Sequence, residues 1–391
     1  MKNVTKDSAT NDHAGAWNEE VERVVAALAD TAKERDVEGG TPVRERNRLR
    51  ESGLLALTID PKLGGHGESF GSLLHVVQRF ARVDPSVAHV FAFHHLMLAS
   101  LRLFGSPAQW THAFEETARE QLFWGNALNP KDTRATLART VRGFVLRGTK
   151  SFCSGARDSD RLLVSAIDEE TRALTVFTIP TRRAGVETLA DWNAFGQRQT
   201  DSGTVNFSDV EVEESEILRT PGPLGTPQAS LRPCLAQAIL AHVYLGIAEG
   251  AFEEARALQI AQGGSRGSDP YVLLRAGELS IALDAARMFA ERARSAIDRS
   301  IAHGDDVDER ERGLVALDVA RAKVSATQAG LAIAQGMFDF VGPRATHRSL
   351  GLDRYWRNLR VHTLHDPVDQ KLSELGAFAL NDRVPAPSFY S

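Results

Sequence analysis

The sequence predicts an α+β fold made of a helical domain, a β domain and a helical bundle. Three observations predict it. Apolar residues recur at helical spacing up to about residue 122, alternate over residues 123–217, and return to helical spacing from about residue 230. Helices, then strands, then helices along one chain are typical of an α+β arrangement. We therefore expect residues 17–122, 123–220 and 221–391 to form the three domains.

The first zone is expected to begin with a disordered tail over residues 1–16, which are polar. The helical domain follows over residues 17–122. In EEVERVVAALADTAKERD the apolar residues form one stripe, with the charges opposite. Three further helices are predicted between residues 72 and 120, the last with Ser106 as its cap and Pro107 in its first turn.

The second zone is expected to form a compact antiparallel β domain. Short runs rich in Val, Phe and Thr, bounded by Gly, Asp and Pro, are typical of strands. In this zone the runs of that kind are GFVLRGTKSFCSG, DRLLVSAID, ALTVFTIP and GTVNFSDVEV. After the linker PGPLGTP, long apolar-periodic stretches predict a four-helix bundle, with helices over residues 235–262, 271–303, 307–340 and roughly 365–380.

Composition excludes several classes of protein. Hydrophobic residues at 42% and charged residues at 25% are typical of a globular protein. The formal charge is -5 and no basic run is dense, so no nucleic-acid partner is expected. Two cysteines form neither a disulfide framework nor a zinc site, and no metal is expected. Because no signal peptide or membrane-length apolar window is apparent, we expect a cytoplasmic protein without a membrane segment.

The chain lacks a motif for binding a nicotinamide cofactor. Such a motif needs G-x-G-x-x-G between a strand and a helix. The two glycine-rich stretches, residues 64–67 and 263–267, follow a proline-broken turn and a helix. If the protein is a redox enzyme, it must therefore receive its electrons from elsewhere.

Two polar segments carry the candidate chemistry. Residues 353–367 include His362 and His365 just before an Asp-Pro pair, and imidazole both gives and takes a proton near neutral pH. Residues 150–156 offer hydroxyl and backbone N–H groups at the end of a predicted strand. Ordinary structural roles remain open for both segments, as hydrogen-bonded histidines and as a strand-to-loop exit.

Four weaker candidates are open to two interpretations. Trp192 is expected either to stack on a planar ring of a ligand or to belong to the core of the β domain. His94, in an apolar helical stripe, lines a substrate pocket or lies in the helix core. The loop residues Arg344 and Arg266 bind a phosphate or are simply exposed. Cys153 is interpreted as a small buried apolar residue, not as a nucleophile.

The domain order and two long strings resemble the acyl-CoA dehydrogenase superfamily, over the chain from about Trp17 onward. The strings are DWNAFGQRQTDSGTVNFSDVEV in the β domain and DRYWRNLRVHTLHDP near the C-terminus. In the dehydrogenases the second string carries the glutamate that, in many of them, takes the substrate α-proton. This chain has His365-Asp366-Pro367 at the matching place, so the resemblance implies a different chemistry.

Within the superfamily, the chain most resembles the flavin-dependent monooxygenases of the dibenzothiophene monooxygenase group. The shared strings are GTKSFCSGA, IPTRRAGV, QRQTDSGT, HVYLGIAEG, YWRNLRVHTLHDPV and PAPSFYS. The resemblance implies a two-component homotetrameric enzyme, supplied with reduced FMN by a separate NAD(P)H:flavin reductase. An oxygen atom of O2 would pass from the flavin C4a-hydroperoxide to a small apolar heteroatom (S or N) or aromatic substrate. FAD in place of FMN is left open.

The resemblance also implies roles for individual residues. Catalytic roles fall to His365, Ser154 and His94. Arg344 is expected to reach the flavin phosphate of a neighbouring subunit, and Arg266 to replace an arginine that the relatives have where this chain has Gly264. The implied flavin contacts come from the β domain and the helical bundle and are Asn126, Asn129, Lys150, Ser151, Phe152, Cys153, Ser154, Trp192, Arg266, Pro343, Arg344 and His365.

Two other functions are open from the sequence. The chain is alternatively a FAD-dependent dehydrogenase of the acyl-CoA type, with Glu249 or Glu253 as the base from another helix. A third hypothesis is a catalytically silent scaffold that keeps the bundle for assembly.

Overall fold

The first part of the chain is helical, as predicted. The computed structural model describes residues 9–261 and 265–391. Its first five helices are α1 (Ala9–Glu38), α2 (Val43–Glu51), α3 (Phe70–Val83), α4 (Pro85–Phe104) and α5 (Pro107–Glu120). Ser106 caps α5 in a capping box with Gln109, which confirms the predicted start of that helix. Asp84 caps α4, where its carboxylate accepts from the Val87 N–H.

Helix α1 begins inside the range that was expected to be a tail. The expected tail is helical over residues 9–16, and residues 1–8 lie outside the described residues. The segment 9–16 contains three alanines and no proline, so it holds no strong signal that would stop the helix before Ala9.

The β domain is a seven-stranded sheet. Its order is β1-β4-β2-β3-β7-β6, and β5 pairs with β4. The sheet is mixed, whereas an antiparallel one was expected, because β4 runs parallel to β1 and β2. A parallel pair needs a long crossover, and here residues 128–160 with the β2–β3 hairpin supply it. The strands are β1 (Trp124–Ala127), β2 (Thr136–Thr140), β3 (Gly143–Lys150), β4 (Arg161–Asp168), β5 (Leu174–Pro180), β6 (Val186–Thr188) and β7 (Val205–Val212).

The last domain is a helical bundle whose three long helices agree with the prediction within three residues at each end. A short helix, α9, was not predicted, and α10 corresponds to the expected fourth helix. Helix α9 packs against α6 and α8, and α10 packs against α8. The helices are α6 (Arg232–Ala261), α7 (Pro270–His303), α8 (Glu309–Val341), α9 (Asp353–Thr363) and α10 (Val368–Asn381).

Helices α4 and α6 are apolar along most of their length because the core surrounds them. By length and composition alone both could cross a membrane, which corrects the expectation that no such window exists. However, 83% of the window in α4 and 89% of that in α6 are buried inside the protein. A helix that is apolar on all sides is typical of a protein core as well as of a membrane, and here packing accounts for it.

One apolar core joins the N-terminal helices to the bundle, while the sheet has a core of its own. Helix α3 packs on α6, and α4 packs on both α6 and β1. Helix α4 is therefore the element at which all three domains meet, and it positions the site described below.

Candidate active site

Three imidazoles from distant parts of the chain come together, and we call them the histidine cluster: His89, His362 and His365. His89 lies on α4 and His362 on α9, with ring centroids 4.7 Å apart. His365 lies in the turn after α9, and its backbone N–H donates to the His362 carbonyl oxygen at 3.0 Å. The His89 ring also stacks on Phe93 at 4.0 Å, and the Tyr244 hydroxyl donates to the His362 carbonyl oxygen at 2.8 Å.

Two members of the cluster are buried and uncharged. Burial, with the neighbouring imidazoles, lowers the pKa of His89 well below its usual value and that of His362 to about 3. Neither ring nitrogen of His89, nor Nδ1 of His362, has a hydrogen-bond partner among the described residues. Buried polar atoms without partners are rare and costly, so these three nitrogens indicate a place where a ligand supplies the missing bonds.

The third member, His365, is open to solvent on one side and paired on the other. Its side chain is 46% exposed, and Nδ1 lies 3.0 Å from Oδ2 of Asp366. Burial would raise the pKa of Asp366, but the hydrogen bond and charge of His365 and the charge of Lys323 lower it to about 2. Because an ionised carboxylate only accepts, Nδ1 of His365 carries the proton and Nε2 is left for another partner.

His94 does not belong to this cluster, and its assignment to the substrate pocket is wrong. Its Nε2 lies 2.8 Å from the Leu55 carbonyl oxygen, and its Nδ1 accepts from the Trp124 N–H at 3.1 Å. Both nitrogens are therefore satisfied inside the core, where burial lowers the His94 pKa to about 4. His89, five residues earlier, lies roughly 140° away around the helix and is the histidine of α4 that faces His362.

The buried ammonium of Lys150 holds a loop of the β domain and does not face a ligand. It donates to the carbonyl oxygens of Asn129 at 2.7 Å and Asp132 at 2.5 Å, and to the Ser165 hydroxyl at 3.1 Å. Burial lowers the Lys150 pKa to about 8. The prediction that Lys150 contacts the flavin is therefore wrong, because its ammonium has a structural role. The carbonyl oxygen of Asn129 takes part in the same structural contact.

The next residues of this loop are divided between internal and outward-facing groups. Ser151 is bonded on both sides, since its N–H donates to Asp132 at 2.9 Å and its hydroxyl accepts from Arg134 at 2.5 Å. Cys153 is buried, which raises the pKa of its thiol to about 12, and it is the small core residue that was expected. Within residues 150–154 only Phe152 is exposed, with 59% of its surface open to solvent.

Ser154 ends a chain of three hydroxyls that leaves one acceptor open. The Thr200 hydroxyl donates to the Gln197 carbonyl oxygen at 3.0 Å, and that of Ser202 donates to Thr200 at 2.8 Å. Since each hydroxyl has one proton, the Ser154 hydroxyl donates to Ser202 at 2.7 Å and keeps its lone pairs for a donor on a ligand. The Ser154 carbonyl oxygen accepts from the Asn126 N–H at 3.1 Å, which brings these two predicted residues together.

Trp192 is half-buried and lies outside the core of the sheet. Its indole N–H donates to the Gln197 carbonyl oxygen at 2.8 Å, and the Phe152 ring stands edge-on to it at 6.1 Å. The Gln197 N–H donates to the Asn358 side chain, one helical turn before His362. The segment that carries Trp192 is thus docked on α9, the helix that carries His362.

Both candidate phosphate-binding arginines lie near the C-terminal end of α8. Arg344 and Pro343 lie exposed in the turn after α8, and Arg266 lies exposed before α7. The Arg266 guanidinium covers Gly342, where a Cβ would collide with it. Among the described residues neither arginine forms an ion pair, and no contact joins the two to the histidine cluster.

The carboxylates proposed for a dehydrogenase are both engaged elsewhere. Glu249 accepts from Arg287 at 2.7 Å and from Gln78 at 3.0 Å. Glu253 accepts from Arg82. Each is held by a guanidinium on α3 or α7, so neither is free to act as a base.

Three family models together account for most of the chain. The N-terminal, middle and C-terminal domains of acyl-CoA dehydrogenase match residues 11–121, 126–210 and 238–370. The protein belongs to the acyl-CoA dehydrogenase family, and the α+β prediction is confirmed.

Several relatives of this chain are monooxygenases. The chain is 51% identical to the probable FMNH2-dependent monooxygenase SfnC of Pseudomonas putida, over 93% of this chain and 94% of that protein. It is similar to the structure of methanesulfinate monooxygenase MsuC from Pseudomonas fluorescens, with a TM-score of 0.94, 50% identity, and coverage of 95% and 99%. It is also similar to FMN-bound TdsC, a dibenzothiophene monooxygenase from Paenibacillus sp. A11-2, with a TM-score of 0.90, 37% identity, and coverage of 96% and 100%.

Proposed function

We propose that this protein is an FMNH2-dependent monooxygenase that transfers one oxygen atom to a small heteroatom compound, with organosulfur compounds as the first candidates. The carrying observation is the His365–Asp366 pair, which stands where a dehydrogenase has its carboxylate base. Asp366 is bonded to His365 and to Gln237, so no free carboxylate remains in the cluster. The names of the relatives support sulfur as the atom oxidised.

The residues present fit a flavin. The unpaired nitrogens of His89 and His362, with the open acceptor of Ser154, supply polar partners for the edge of a ring system. Phe152 and the half-buried Trp192 supply aromatic surfaces for its face. The unpaired guanidinium of Arg344 is suited to a phosphate. FMN is therefore the cofactor of this proposal, and a titration with FAD tests the alternative.

When bound, reduced FMN supplies the chemistry that activates O2. The residues of the chain then have separate tasks. His365 gives or takes a proton at Nε2, while Asp366 orients the ring through Nδ1. His89 and His362 stay neutral, so they donate or accept hydrogen bonds without adding charge. Phe93 packs beside them and keeps water away from the cluster.

We include a separate NAD(P)H:flavin reductase in the proposal. The sequence holds no nicotinamide-binding motif, so the reducing equivalents must arrive as reduced flavin. A cytoplasmic location is also part of the proposal, and two buried, unpaired cysteines fit a reducing compartment.

A homotetramer completes the proposal. Helix α7 leaves three large apolar side chains exposed at seven-residue spacing: Leu274 is 63% exposed, and Ile281 and Met288 are each 74% exposed. Apolar residues at this spacing are typical of a helix that packs on another. Within the tetramer we propose that Arg344 of a neighbouring subunit contacts the flavin phosphate, because among the described residues Arg344 makes no contact with the histidine cluster of its own subunit. Mass photometry of the protein and of Ile281→Asp tests this, with loss of the tetramer as the expected result.

The proposed activity is tested by mixing the protein with chemically reduced FMN and ¹⁸O2. The substrates are methanesulfinate, dibenzothiophene, a dialkyl sulfide, an amine and indole. One ¹⁸O atom in the product, found by mass spectrometry, is the expected result. Absence of labelled product from every compound, together with reduction of bound FAD by an acyl-CoA, would establish the dehydrogenase instead. Absence of any flavin binding would favour the silent scaffold.

A further inference from the structure

Arg232, the first residue of α6, is a buried cation with few partners. The residue is 7% exposed. Its Nε donates to the Ser100 hydroxyl at 3.2 Å, and that hydroxyl donates its own proton to the Leu96 carbonyl oxygen at 2.6 Å. Among the described residues this is the one hydrogen bond of the Arg232 side chain, and the side chain forms no ion pair there. The four N–H groups of its two terminal nitrogens therefore have no acceptor in that part of the chain.

Two other buried guanidiniums, those of Arg46 and Arg312, are bonded differently. Arg46 donates to the carbonyl oxygens of two residues in the β domain. Arg312 donates to the carbonyl oxygens of three residues. A buried charge whose hydrogen bonds are not satisfied is costly. The unused donors of Arg232 therefore indicate a ligand that accepts hydrogen bonds and carries negative charge.

The buried charges near Arg232 do not balance. Burial lowers the pKa of Arg232 to about 10 and that of Lys323 to about 8, so both are cations at neutral pH. The charge of Asp366 opposes the lowering in both cases. The carboxylate of Glu374 is already paired with Lys371 at 2.9 Å. One buried carboxylate thus faces two buried cations, and an anionic ligand would compensate the remaining positive charge.

Arg232 lies beside the residues assigned to the reaction. Asp366, whose charge acts on Arg232, accepts from Nδ1 of His365 at 3.0 Å. Ser100, which holds the Arg232 side chain, follows Phe93 on α4 by seven residues, so both lie on one face of that helix. The Phe93 ring is the one that packs on the histidine cluster. Arg232 is therefore connected to the cluster through α4 and through Asp366.

Tyr390 adds a neutral hydrogen-bond donor near Arg232. Its ring lies 4.0 Å from the ammonium of Lys131, in the loop after β1. Burial and the charge of Asp366 raise the pKa of Tyr390, and the charge of Arg232 lowers it. The phenol thus lies within range of both charges, and at neutral pH it keeps its proton and donates.

We propose that Arg232, with Tyr390 beside it, binds the anionic group of the substrate, and that this substrate is a small organosulfinate. The inference rests on the proposed function and names its substrate class. A sulfinate presents two anionic oxygens to the planar fork of a guanidinium. Its sulfur also keeps a lone pair, which a sulfonate lacks.

The step balances with the reactants of the proposed function. R–SO2⁻, O2 and FMNH2 give R–SO3⁻, H2O and FMN. One atom of O2 forms a bond to sulfur, and the other leaves as water with the two hydrogens of the reduced flavin. The flavin supplies two electrons and the sulfur lone pair supplies two, so the sulfur is oxidised from sulfinate to sulfonate.

Binding is tested with methanesulfonate and dimethyl sulfone, which have similar shapes and different charges. Neither has a sulfur lone pair, so neither is oxidised at sulfur. Calorimetric titration of the protein loaded with oxidised FMN, at low ionic strength, is expected to show about ten- to a hundredfold tighter binding of the anion. Arg232→Gln should remove this preference, and Arg232→Lys, which keeps the charge, should retain part of it.

The matched control is Arg102→Gln. It removes an exposed guanidinium two residues after Ser100, about 200° around α4, and should leave the preference unchanged. Arg232→Gln should fold, because it removes a buried charge that has no ion pair among the described residues, and urea unfolding checks this. Equal affinities for the two compounds in the unaltered protein, or an unchanged preference in Arg232→Gln, would overturn the proposal.

Two further measurements distinguish the substrate from the flavin phosphate, which is also an anion. Arg232→Gln should bind FMN as the unaltered protein does. It should raise KM for methanesulfinate about ten- to a hundredfold, with kcat within about threefold and KM for a dialkyl sulfide unchanged. A loss of FMN affinity would mean that Arg232 binds the flavin phosphate, which would overturn the proposal. Oxidation of the sulfide without oxidation of methanesulfinate would overturn it as well.

Failure of the proposed function has a different signature. If the unaltered protein oxidises none of the compounds, the proposed function fails. The titrations with methanesulfonate and dimethyl sulfone still decide whether Arg232 binds an anion, because they need no turnover.

Discussion

The histidine cluster and the loop after β3 are both rich in polar groups, yet they differ in how those groups are bonded. In the loop, Lys150 and Ser151 are fully engaged with the protein. In the cluster, His89 has no hydrogen-bond partner at either ring nitrogen among the described residues, although it is buried like Lys150. The comparison separates polar residues whose hydrogen bonds stabilise the fold from polar residues whose unused donors and acceptors are available to a ligand. Each prediction below tests that separation.

The largest effect is expected from His365→Ala. General acid–base catalysis contributes roughly 10²–10⁴-fold in rate, so product formation should fall by about that factor. The variant should still fold, because the side chain is half-exposed, although it loses the part of the stability that the hydrogen bond to Asp366 contributes. His303→Ala, which removes another exposed histidine paired with an acid, is the matched control. Full turnover by His365→Ala would remove the residue from the reaction.

His89 and His94, both on α4, provide the most informative pair of variants. His89→Leu loses no hydrogen bond to the described residues, so it should fold normally but lower kcat about 100-fold, as the loss of one preorganised hydrogen-bond donor does. His94→Leu leaves the Leu55 carbonyl oxygen and the Trp124 N–H unpaired. Each such loss costs about 1–3 kcal/mol, so thermal stability should fall while turnover per folded molecule is kept. Chemical denaturation and steady-state rates measure the two quantities, and the reverse pattern would restore His94 to the site.

The sequence predicted the elements well, but it assigned the site to His94 and did not single out His89. The stripe around His94 is apolar, and periodicity shows that a helix has a buried face without showing which buried histidine has partners. His89 and Phe93 are four residues apart, and that spacing on one helical face was the signal that could have found the stacked pair. The two ring nitrogens of His94 are hydrogen-bonded because Leu55 and Trp124, which lie in other parts of the chain, contact them.

Helix α9 was missed for a related reason. Tyr355, Asn358, Leu359 and His362 follow helical spacing and are buried, but two of the four are polar, so the segment resembled a polar cluster. A buried face that carries functional residues weakens the apolar pattern by which helices are recognised.

Arg344 extends the comparison to groups that are unpaired but exposed. A guanidinium–phosphate pair is charge-assisted and is worth roughly 1.5–3 kcal/mol. Arg344→Ala should therefore weaken FMN affinity by about ten- to a hundredfold, with little change in stability. Isothermal titration with FMN measures it, and Arg142→Ala, in the exposed β2–β3 turn, should leave affinity unchanged. An unaltered FMN titration would exclude Arg344 from phosphate binding.

Asp366 gives a pH-dependent prediction. Its pKa in the folded protein, about 2, lies below the ordinary value of 3.8. The unfolded chain therefore binds the proton more readily, and stability falls as the pH drops from about 4 through about 2. The lowering corresponds to about 2 kcal/mol at neutral pH. Asp366→Asn should remove this part of the pH dependence in urea unfolding, and an unchanged profile would contradict the assignment.

Ser154 shares features of both kinds of polar group. Its hydroxyl proton is donated to another residue of the protein, whereas its lone pairs accept no hydrogen bond from the described residues. Ser154→Ala removes one neutral hydrogen bond, to Ser202, and should cost roughly 0.5–1.5 kcal/mol of stability. Ser159→Ala removes a comparable buried hydroxyl in the same domain, bonded to Ala156 and Thr181. Both variants should lose stability, Ser159→Ala more because it has two partners, but only Ser154→Ala should also weaken binding of reduced FMN, by up to about tenfold. Equal flavin affinity in the two would place Ser154 with Lys150 and Ser151, among the residues that only hold the loop.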